Sequence, residues 1–153
     1  MNSSLGKDIK AEVYPAAALD PVSATAGGAG DGTEVDGLTI DQQALPTKFH
    51  SVDFEIVAKA VLAEDKTLTV TGNLQDSADG SAWTDITTPA TLLTLTGGSG
   101  GSTERGVARM GVDLTKYRRY VRCQVTPDLS ATATDTANLQ GIAVFGGGQV
   151  LPQ

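Results

Sequence analysis

The sequence contains few of the residues on which enzyme active sites and metal sites depend. It has one cysteine, Cys123, and one histidine, His50. A single cysteine excludes an intrachain disulfide and a cysteine-based zinc cage, and a histidine-based metal site or a catalytic triad would have to use His50. No nucleophile motif surrounds His50, and the glycine-rich run 97–101 lacks the lysine of a phosphate-binding loop. The sequence therefore predicts a protein that is not an enzyme, with no cofactor and no metal ion.

Aromatic residues, long apolar runs and positive charge are also scarce. Aromatic residues make up 5% of the chain and the net charge is −7. This composition argues against a nucleic-acid partner, because nucleic-acid surfaces need basic residues and aromatic stacking platforms. No apolar run approaches the roughly 20 residues of a transmembrane helix, so no membrane partner is predicted. The first residues lack an apolar signal region, so the sequence predicts synthesis in the cytoplasm without export.

Small and β-branched residues dominate the composition of the chain. The 153 residues include 19 Ala, 19 Thr and 18 Gly, and Thr and Gly are poor residues for helix interiors. About eight short apolar segments recur at roughly ten-residue spacing, separated by turn-forming residues. This pattern predicts an all-β fold, an antiparallel jelly roll or β-sandwich of about eight strands. The pattern leaves the order of the strands open.

The clearest strand signal covers residues 49–63. Every even position from 52 to 62 is apolar, which predicts a buried face, because side chains alternate along a strand. The charged residues of this segment occupy odd positions: Asp53, Glu55 and Lys59. Val57 and Val61 share that outer face, which predicts that it is partly covered as well. Residues 67–73 alternate in the same way and predict a hairpin with this strand.

Two other segments give specific expectations about the core. Cys123 shares one strand face with Val121 and Val125, so it is predicted to be buried and unpaired. Residues 138–145 are apolar on both faces, which predicts a central strand.

The N-terminal segment contains few large apolar side chains. Residues 10–14 predict a short strand that stops at Pro15, and residues 15–32 are rich in Ala, Gly, Ser and Pro. Either a flexible tail or an extended arm that orders on a partner fits this composition. The predicted organisation is an N-terminal arm at residues 1–32, a jelly-roll domain at 33–148 and a C-terminal tail at 149–153.

Charge is segregated along the chain. Residues 1–104 hold five lysines against fifteen acids, a net charge of −10, whereas residues 105–122 hold six basic residues against one acid. All five arginines lie in this short basic segment. The segment is either a solvated surface neutralised by acids of the same chain or a docking patch for an acidic partner.

Strand alternation predicts how the basic segment faces a partner. If the two strands that flank the turn 114–116 form a hairpin, their outward residues create one basic face. The candidate partner-binding residues of this face are Arg105, Arg109, Arg118, Tyr120 and Arg122. Arginine forks bind carboxylates, and a tyrosine between them supplies a stacking anchor.

The segment 77–83 is a distinctive turn. It resembles the Asp-box turn, with one residue missing between Asp79 and Gly80. The Asp79 carboxylate is predicted to accept backbone N–H groups, and Trp83 to fold back over the hairpin. Two other hypotheses are sugar binding through Trp83 and a calcium site. The carboxylates available for calcium are Asp76, Asp79 and Asp85.

Residues 48–146 resemble the jelly-roll cement (decoration) proteins of tailed bacteriophages. The resemblance follows the long alternating strand with LTVTGNLQDSADGSAWTDI, a Gly/Ser linker, DLTKYRRYVRCQVTPDL and LQGIAVFGG. None of these motifs is a catalytic signature.

The resemblance implies a structural virion protein. Such a protein is made in the host cytoplasm, binds the outer surface of the assembled capsid and bridges neighbouring major capsid protein subunits. The resemblance also implies self-association as a dimer or trimer. The alternative function is a carbohydrate-binding or adhesin-type β-sandwich module on a phage or cell surface.

Overall fold

The computed structural model describes residues 9–148, which form one short helix, two single 3₁₀ turns and ten strands. The helix is α1 (Ile9–Glu12), and the 3₁₀ turns cover Gln42–Ala44 and Leu114–Lys116. The strands are β1 (Tyr14–Thr25), β2 (Val35–Asp36), β3 (Ile40–Asp41), β4 (Ser51–Leu62), β5 (Thr67–Ser77), β6 (Thr84–Asp85), β7 (Ala90–Thr96), β8 (Ser102–Asp113), β9 (Tyr120–Leu129) and β10 (Thr136–Gly146). The predicted all-β fold is confirmed. No helix within residues 9–148 is long and apolar enough to cross a membrane.

The strands form two antiparallel sheets. The four-stranded sheet has the order β1-β10-β4-β8, and the six-stranded sheet has the order β2-β9-β5-β6, with β3 also on β9 and β7 also on β5. Counting β2 and β3 as one interrupted strand, and omitting the two-residue β6, leaves eight strands. Their order is then 1-8-3-6 in one sheet and 2-7-4-5 in the other, which is the strand order of a jelly roll.

The core lies between the two sheets, as the alternation in β4 predicts. Its even positions are buried: Val52, Phe54, Ile56, Ala58, Ala60 and Leu62. The outward side chains of Val57 and Val61 remain 46% and 48% exposed, so residues 9–148 do not cover this face. The last strand, β10, lies between β1 and β4, which confirms its predicted central position.

The two predicted hairpins are wrong. β4 pairs with β10 and β8, whereas β5 pairs with β9 and β7. In this topology the chain crosses to the opposite sheet after β4 and again after β8. Alternation along a strand reports which side is buried, but it does not report which strand lies alongside.

The N-terminal boundary predicted at residue 32 is also wrong. β1 pairs with β10 from Tyr14, opposite Phe145, to Thr25, opposite Thr136. Its buried side chains include Ala18, Leu19 and Ala24. The prolines that hid this strand are tolerated because β1 is an edge strand. The sandwich therefore begins by residue 14, and residues 9–12 are helical rather than extended.

The loop after β1 is fastened to the sandwich. The Asp31 carboxylate accepts the backbone N–H of Gly27 at 2.8 Å and that of Leu129 at 2.7 Å. The Gly32 N–H donates to the Pro127 carbonyl at 2.8 Å. Residues 1–8 of the predicted arm and the predicted tail 149–153 lie outside the described residues.

The segment after β2 connects the two sheets across the core. The Gly37 N–H donates to the Cys123 carbonyl at 2.7 Å, and the Leu38 N–H donates to the Ala18 carbonyl at 2.8 Å. A Cβ at Gly37 would lie 2.5 Å from the Ala18 oxygen and 2.6 Å from the Cys123 sulfur, so only glycine fits. Cys123 is fully buried and unpaired, as predicted, and burial raises its pKa to about 12.

Candidate functional site

The structure divides the predicted arginine face between the two sheets. Arg105 and Arg109 lie in β8, at one edge of the four-stranded sheet, whereas Tyr120 and Arg122 lie in β9 of the six-stranded sheet. Arg118 lies two residues before the start of β9. The prediction of one continuous basic face is wrong because it required β8 to pair with β9. Two separate surfaces result.

The first surface contains a partly buried ion pair between Arg118 and Asp76. The Arg118 backbone N–H donates to Asp76 Oδ2 at 2.8 Å, and the Arg118 Nε donates to Oδ1 at 2.9 Å. Burial alone would raise the pKa of Asp76, but the hydrogen bonds from Arg118 outweigh it and hold the pKa below its ordinary value. The side-chain hydrogen bond to Asp76 raises the pKa of Arg118. The start of β9 is thereby fixed to the end of β5.

The turn 77–83 lies beside this ion pair, and its Asp79 carboxylate accepts backbone N–H groups, as predicted. The Asp79 Oδ1 accepts the backbone N–H groups of Ala82 and Ser81, both at 2.9 Å. These hydrogen bonds hold the pKa of Asp79 well below its ordinary value. The carboxylate therefore closes the turn from within the chain.

Trp83 stacks against Arg122, which is a central member of a polar network. The Arg122 guanidinium carbon lies 4.3 Å from the centroid of the Trp83 ring. The Arg122 Nε donates to Gln75 Oε1 at 2.9 Å, and its Nη1 lies 2.9 Å from Asp36 Oδ2. Only 15% of the Arg122 side chain is exposed, so this arginine links β2, β9, β5 and the turn.

Tyr120 completes the first surface. Its ring lies against Gly80 of the turn. The Arg119 guanidinium lies 4.8 Å from the centroid of the Tyr120 ring, and its Nε donates to Asp41 Oδ1 at 2.9 Å. We call the aromatic and basic group on this surface the Trp83 cluster. It consists of Trp83, Arg118, Tyr120 and Arg122.

The carboxylates considered for calcium have separate partners. Asp76 binds Arg118 and Asp79 binds the backbone of the turn. The Asp85 Oδ1 accepts hydrogen bonds from Asn73 Nδ2 at 2.9 Å and Gln75 Nε2 at 2.7 Å. Within residues 9–148, no group of three or more His, Cys, Asp or Glu side chains is arranged to hold a metal ion.

The second surface is the outer side of the four-stranded sheet, which we call the valine face. Its residues are Asp53, Glu55, Val57, Lys59 and Val61 of β4, Arg105, Val107 and Arg109 of β8, and Ile142 of β10. Val57 lies opposite Val107, and these two side chains are 46% and 49% exposed.

The charges of the valine face lie on either side of these valines. Arg109 forms an ion pair with Asp53, and its Nε lies 3.6 Å from Glu55 Oε1. On the other side, Arg105 lies opposite Lys59, and neither forms an ion pair with any residue in the described part of the chain. Of the five arginines, Arg105 alone lacks an acidic partner within residues 9–148.

His50 lies at the acidic end of the valine face. Its backbone carbonyl accepts the Leu114 N–H at 2.7 Å, and its N–H donates to the Gly146 carbonyl at 3.2 Å. Together with Asp53 and Asp113 it lines a shallow groove at the surface.

The sequence did not reveal the acidic partners of the arginines. Asp36, Asp41 and Asp76 lie far from the basic segment in the sequence and reach it only through strand pairing. The single available signal was composition, because the acids of residues 1–104 outnumber the lysines.

No protein-family profile and no curated protein matches the chain. Solved structures that resemble it include the PBSX exported protein XepA, with 13% identity, a TM-score of 0.45 and coverage of 92% of this chain and 39% of that one. Another is the structure of the infectious bursal disease virus Gt strain, with 13% identity, a TM-score of 0.49 and coverage of 92% of this chain and 33% of that one. The chain thus spans between about a third and two fifths of those chains. At such identities and TM-scores these are loose likenesses of the sandwich alone.

Proposed function

We propose that this chain is a non-enzymatic structural protein of a phage virion. In this role it is made in the host cytoplasm, binds the outer surface of the assembled capsid and bridges neighbouring major capsid protein subunits. It self-associates as a dimer or trimer, and neither nucleic acid nor a membrane is a partner.

The observation that carries the proposal is the proximity of the two longest motifs that resemble cement proteins. Residues 68–86 and 113–129 are separate in sequence, but they contain β5 and β9, which pair from Leu68 opposite Leu129 to Ser77 opposite Tyr120. The aromatic and basic residues of both motifs meet in the Trp83 cluster. The two motifs that resemble cement proteins therefore contribute to one continuous surface. We assign this surface as the capsid-binding surface.

The chemistry of the Trp83 cluster suits a protein interface. Tryptophan, tyrosine and arginine are the residues that most often dominate binding energy at such interfaces. The Arg118 side chain is 41% exposed although it is held by Asp76. A guanidinium fixed in this way loses little side-chain entropy when a partner binds.

A protein that binds the assembled capsid, and not its free subunits, stabilises the capsid. Each bound copy shifts the equilibrium from free subunits toward the shell by mass action. Because the capsid repeats the same site many times, a protein that bridges subunits also gains from multivalency.

Co-sedimentation with capsids tests the proposal. The chain should pellet with empty capsids of its cognate phage and should not bind the free major capsid protein. Replacing Trp83→Ser and Tyr120→Ser together should weaken capsid binding by about tenfold or more, because interface aromatic anchors are hot spots. The control Asp20→Asn lies in β1, in the other sheet, and should bind as the wild type does.

Two results would contradict the proposal. One is wild-type protein that stays in the supernatant at saturating capsid concentrations. The other is glycan binding by the isolated chain that depends on Trp83, which would favour the carbohydrate-binding alternative. The amide groups of Asn73 and Gln75 near Trp83 are already bonded to Asp85, so we expect no glycan binding.

A further inference from the structure

We infer that the valine face is the interface of a two-fold symmetric dimer and that its occupant is the valine face of a second copy of this chain. The inference rests on the self-association included in the proposed function, but it does not depend on capsid binding.

The apolar side chains of this face are the first argument. Val57, Val61, Val107 and Ile142 are 43–49% exposed, although they lie on strands whose opposite face is the fully buried core. Clustered exposed aliphatic residues on a sheet face mark a surface that gains free energy when it is covered. No segment of residues 9–148 covers it.

The unpaired charges are the second argument. Lys59 and Arg105 are direct neighbours across β4 and β8, and like charges in such cross-strand pairs destabilise a sheet. Both lack an acidic partner within residues 9–148. A carboxylate supplied by the partner subunit would remove this repulsion.

The order of charges along β4 supplies that carboxylate from a second copy. Glu55 precedes Val57 by two residues, and Lys59 follows it by two. A two-fold axis that lies across the strands at the level of Val57 reverses this order in the second copy. Glu55 then faces Lys59 of the partner subunit, and Lys59 faces the partner subunit's Glu55.

The same axis places Arg105 opposite the partner subunit's Arg109. The acidic end of the face carries Asp53 and Glu55 against one guanidinium, that of Arg109, which is already paired with Asp53. This end therefore keeps a net negative charge, whereas the opposite end carries only Lys59 and Arg105. The shallow groove lined by Asp53 and Asp113 leaves room at the acidic end for long basic side chains.

The size of the face is sufficient for a dimer. Its four strands have 11 or 12 residues each. With a rise of about 3.3 Å per residue and a strand spacing of about 4.8 Å, the face measures about 40 by 19 Å, or about 750 Å². Stable protein interfaces bury about 800 Å² per partner, and two sheets that pack face to face lie about 10 Å apart.

Charge reversal in the full-length chain tests the inference by sedimentation equilibrium. The wild type should be a dimer. Glu55→Lys alone and Lys59→Glu alone should each weaken it by at least tenfold, because each places like charges opposite each other twice in the dimer. The double variant should recover the dimer, and an equimolar mixture of the two single variants should form a heterodimer. The control Lys66→Glu makes the same charge change in the exposed turn after β4 and should not alter the dimer.

Several results would overturn the inference. These are a monomeric or trimeric wild type, a dimer that resists both single variants, or a double variant as weak as the singles. A dimer that resists them would point to pairing through the edge of β8. Circular dichroism establishes that each variant is folded. If a charge variant does not fold, Val107→Ser gives a second measurement and should also weaken the dimer.

Capsid co-sedimentation of the same proteins separates the two proposals. A wild type that dimerises through this face without binding capsids would reject the proposed function alone. A wild type that binds capsids as a monomer would reject the dimer and the self-association included in the proposed function, but it would leave capsid binding standing.

Discussion

Four of the five arginines bind aspartates that are distant in the sequence, and these ion pairs differ in their exposure to solvent. Asp76, the partner of Arg118, is 6% exposed. In the pair of Arg109 with Asp53, the aspartate side chain is 24% exposed and the arginine side chain 66%. Exposed pairs contribute little to stability, whereas a buried carboxylate that holds several hydrogen bonds contributes more.

Two matched variants test how the exposure of an ion pair affects its contribution to stability. Asp76→Asn removes the charge that Arg118 binds and should lower the free energy of unfolding by about 1–3 kcal/mol. Asp53→Asn, at the exposed pair, should lower it by about 1 kcal/mol or less. Urea unfolding at pH 7 measures both values. Equal effects of the two variants would show that burial of Asp76 does not strengthen its interaction.

The burial of individual strand residues was predictable from their neighbours in the sequence. The polar partners of the arginines were not. The alternation around Ile56 and the apolar neighbours of Cys123 report local geometry, which the sequence encodes directly. The contact of Arg118 with Asp76 spans 42 positions and depends on the pairing of β5 with β9. Hydrophobic periodicity carries no information about such pairing.

The strand β1 shows why an element can be missed. Its prolines and alanines resemble a linker, but it closes one edge of the four-stranded sheet and buries Leu19. Edge strands need only one partner, so proline costs them little. The sequence signal for such a strand is weak because half of its backbone groups need no pairing.

Removal of β1 should therefore unfold the domain. A chain that begins at residue 26 loses the strand that covers β10 and should show no cooperative urea transition by circular dichroism. The milder variant Leu19→Ala should keep a cooperative transition with a loss of about 2–4 kcal/mol. If the truncated chain unfolds as cooperatively as the full chain, residues 14–25 are an appendage, as the sequence composition suggested.

The molecule as a whole was predicted correctly in class and layering, but not in connectivity. Strand spacing and alternation identified a sandwich of about eight main strands. The crossings from β4 to β5 and from β8 to β9 between sheets were not predictable, since a tight turn is compatible with either a hairpin or a crossing. This error also placed the arginines on one surface instead of two.

Carboxyl groups with lowered pKa values make stability depend on acid pH. They are Asp41, Asp76, Asp79 and Asp113. A carboxyl whose pKa is lower in the folded state contributes stability above its unfolded pKa of about 3.9, and the contribution is lost as the pH falls through the folded pKa. The free energy of unfolding should therefore be nearly constant from pH 7 to 5 and should fall below about pH 4. Urea titrations at several pH values measure it, and stability that increased down to pH 3 would contradict this expectation.

The pairing of β1 with β10 also has a consequence during translation. Tyr14 and Phe145 are paired although they are 131 residues apart, so β1 leaves the ribosome well before its partner exists. At about 5–20 residues per second this delay is about 7–26 s. An unpaired strand can aggregate with other chains during that time. Pro15 and Pro21 reduce this hazard, because proline interrupts strand pairing with other chains. The prolines that make β1 look unstructured thus protect the nascent chain until its last strand is made.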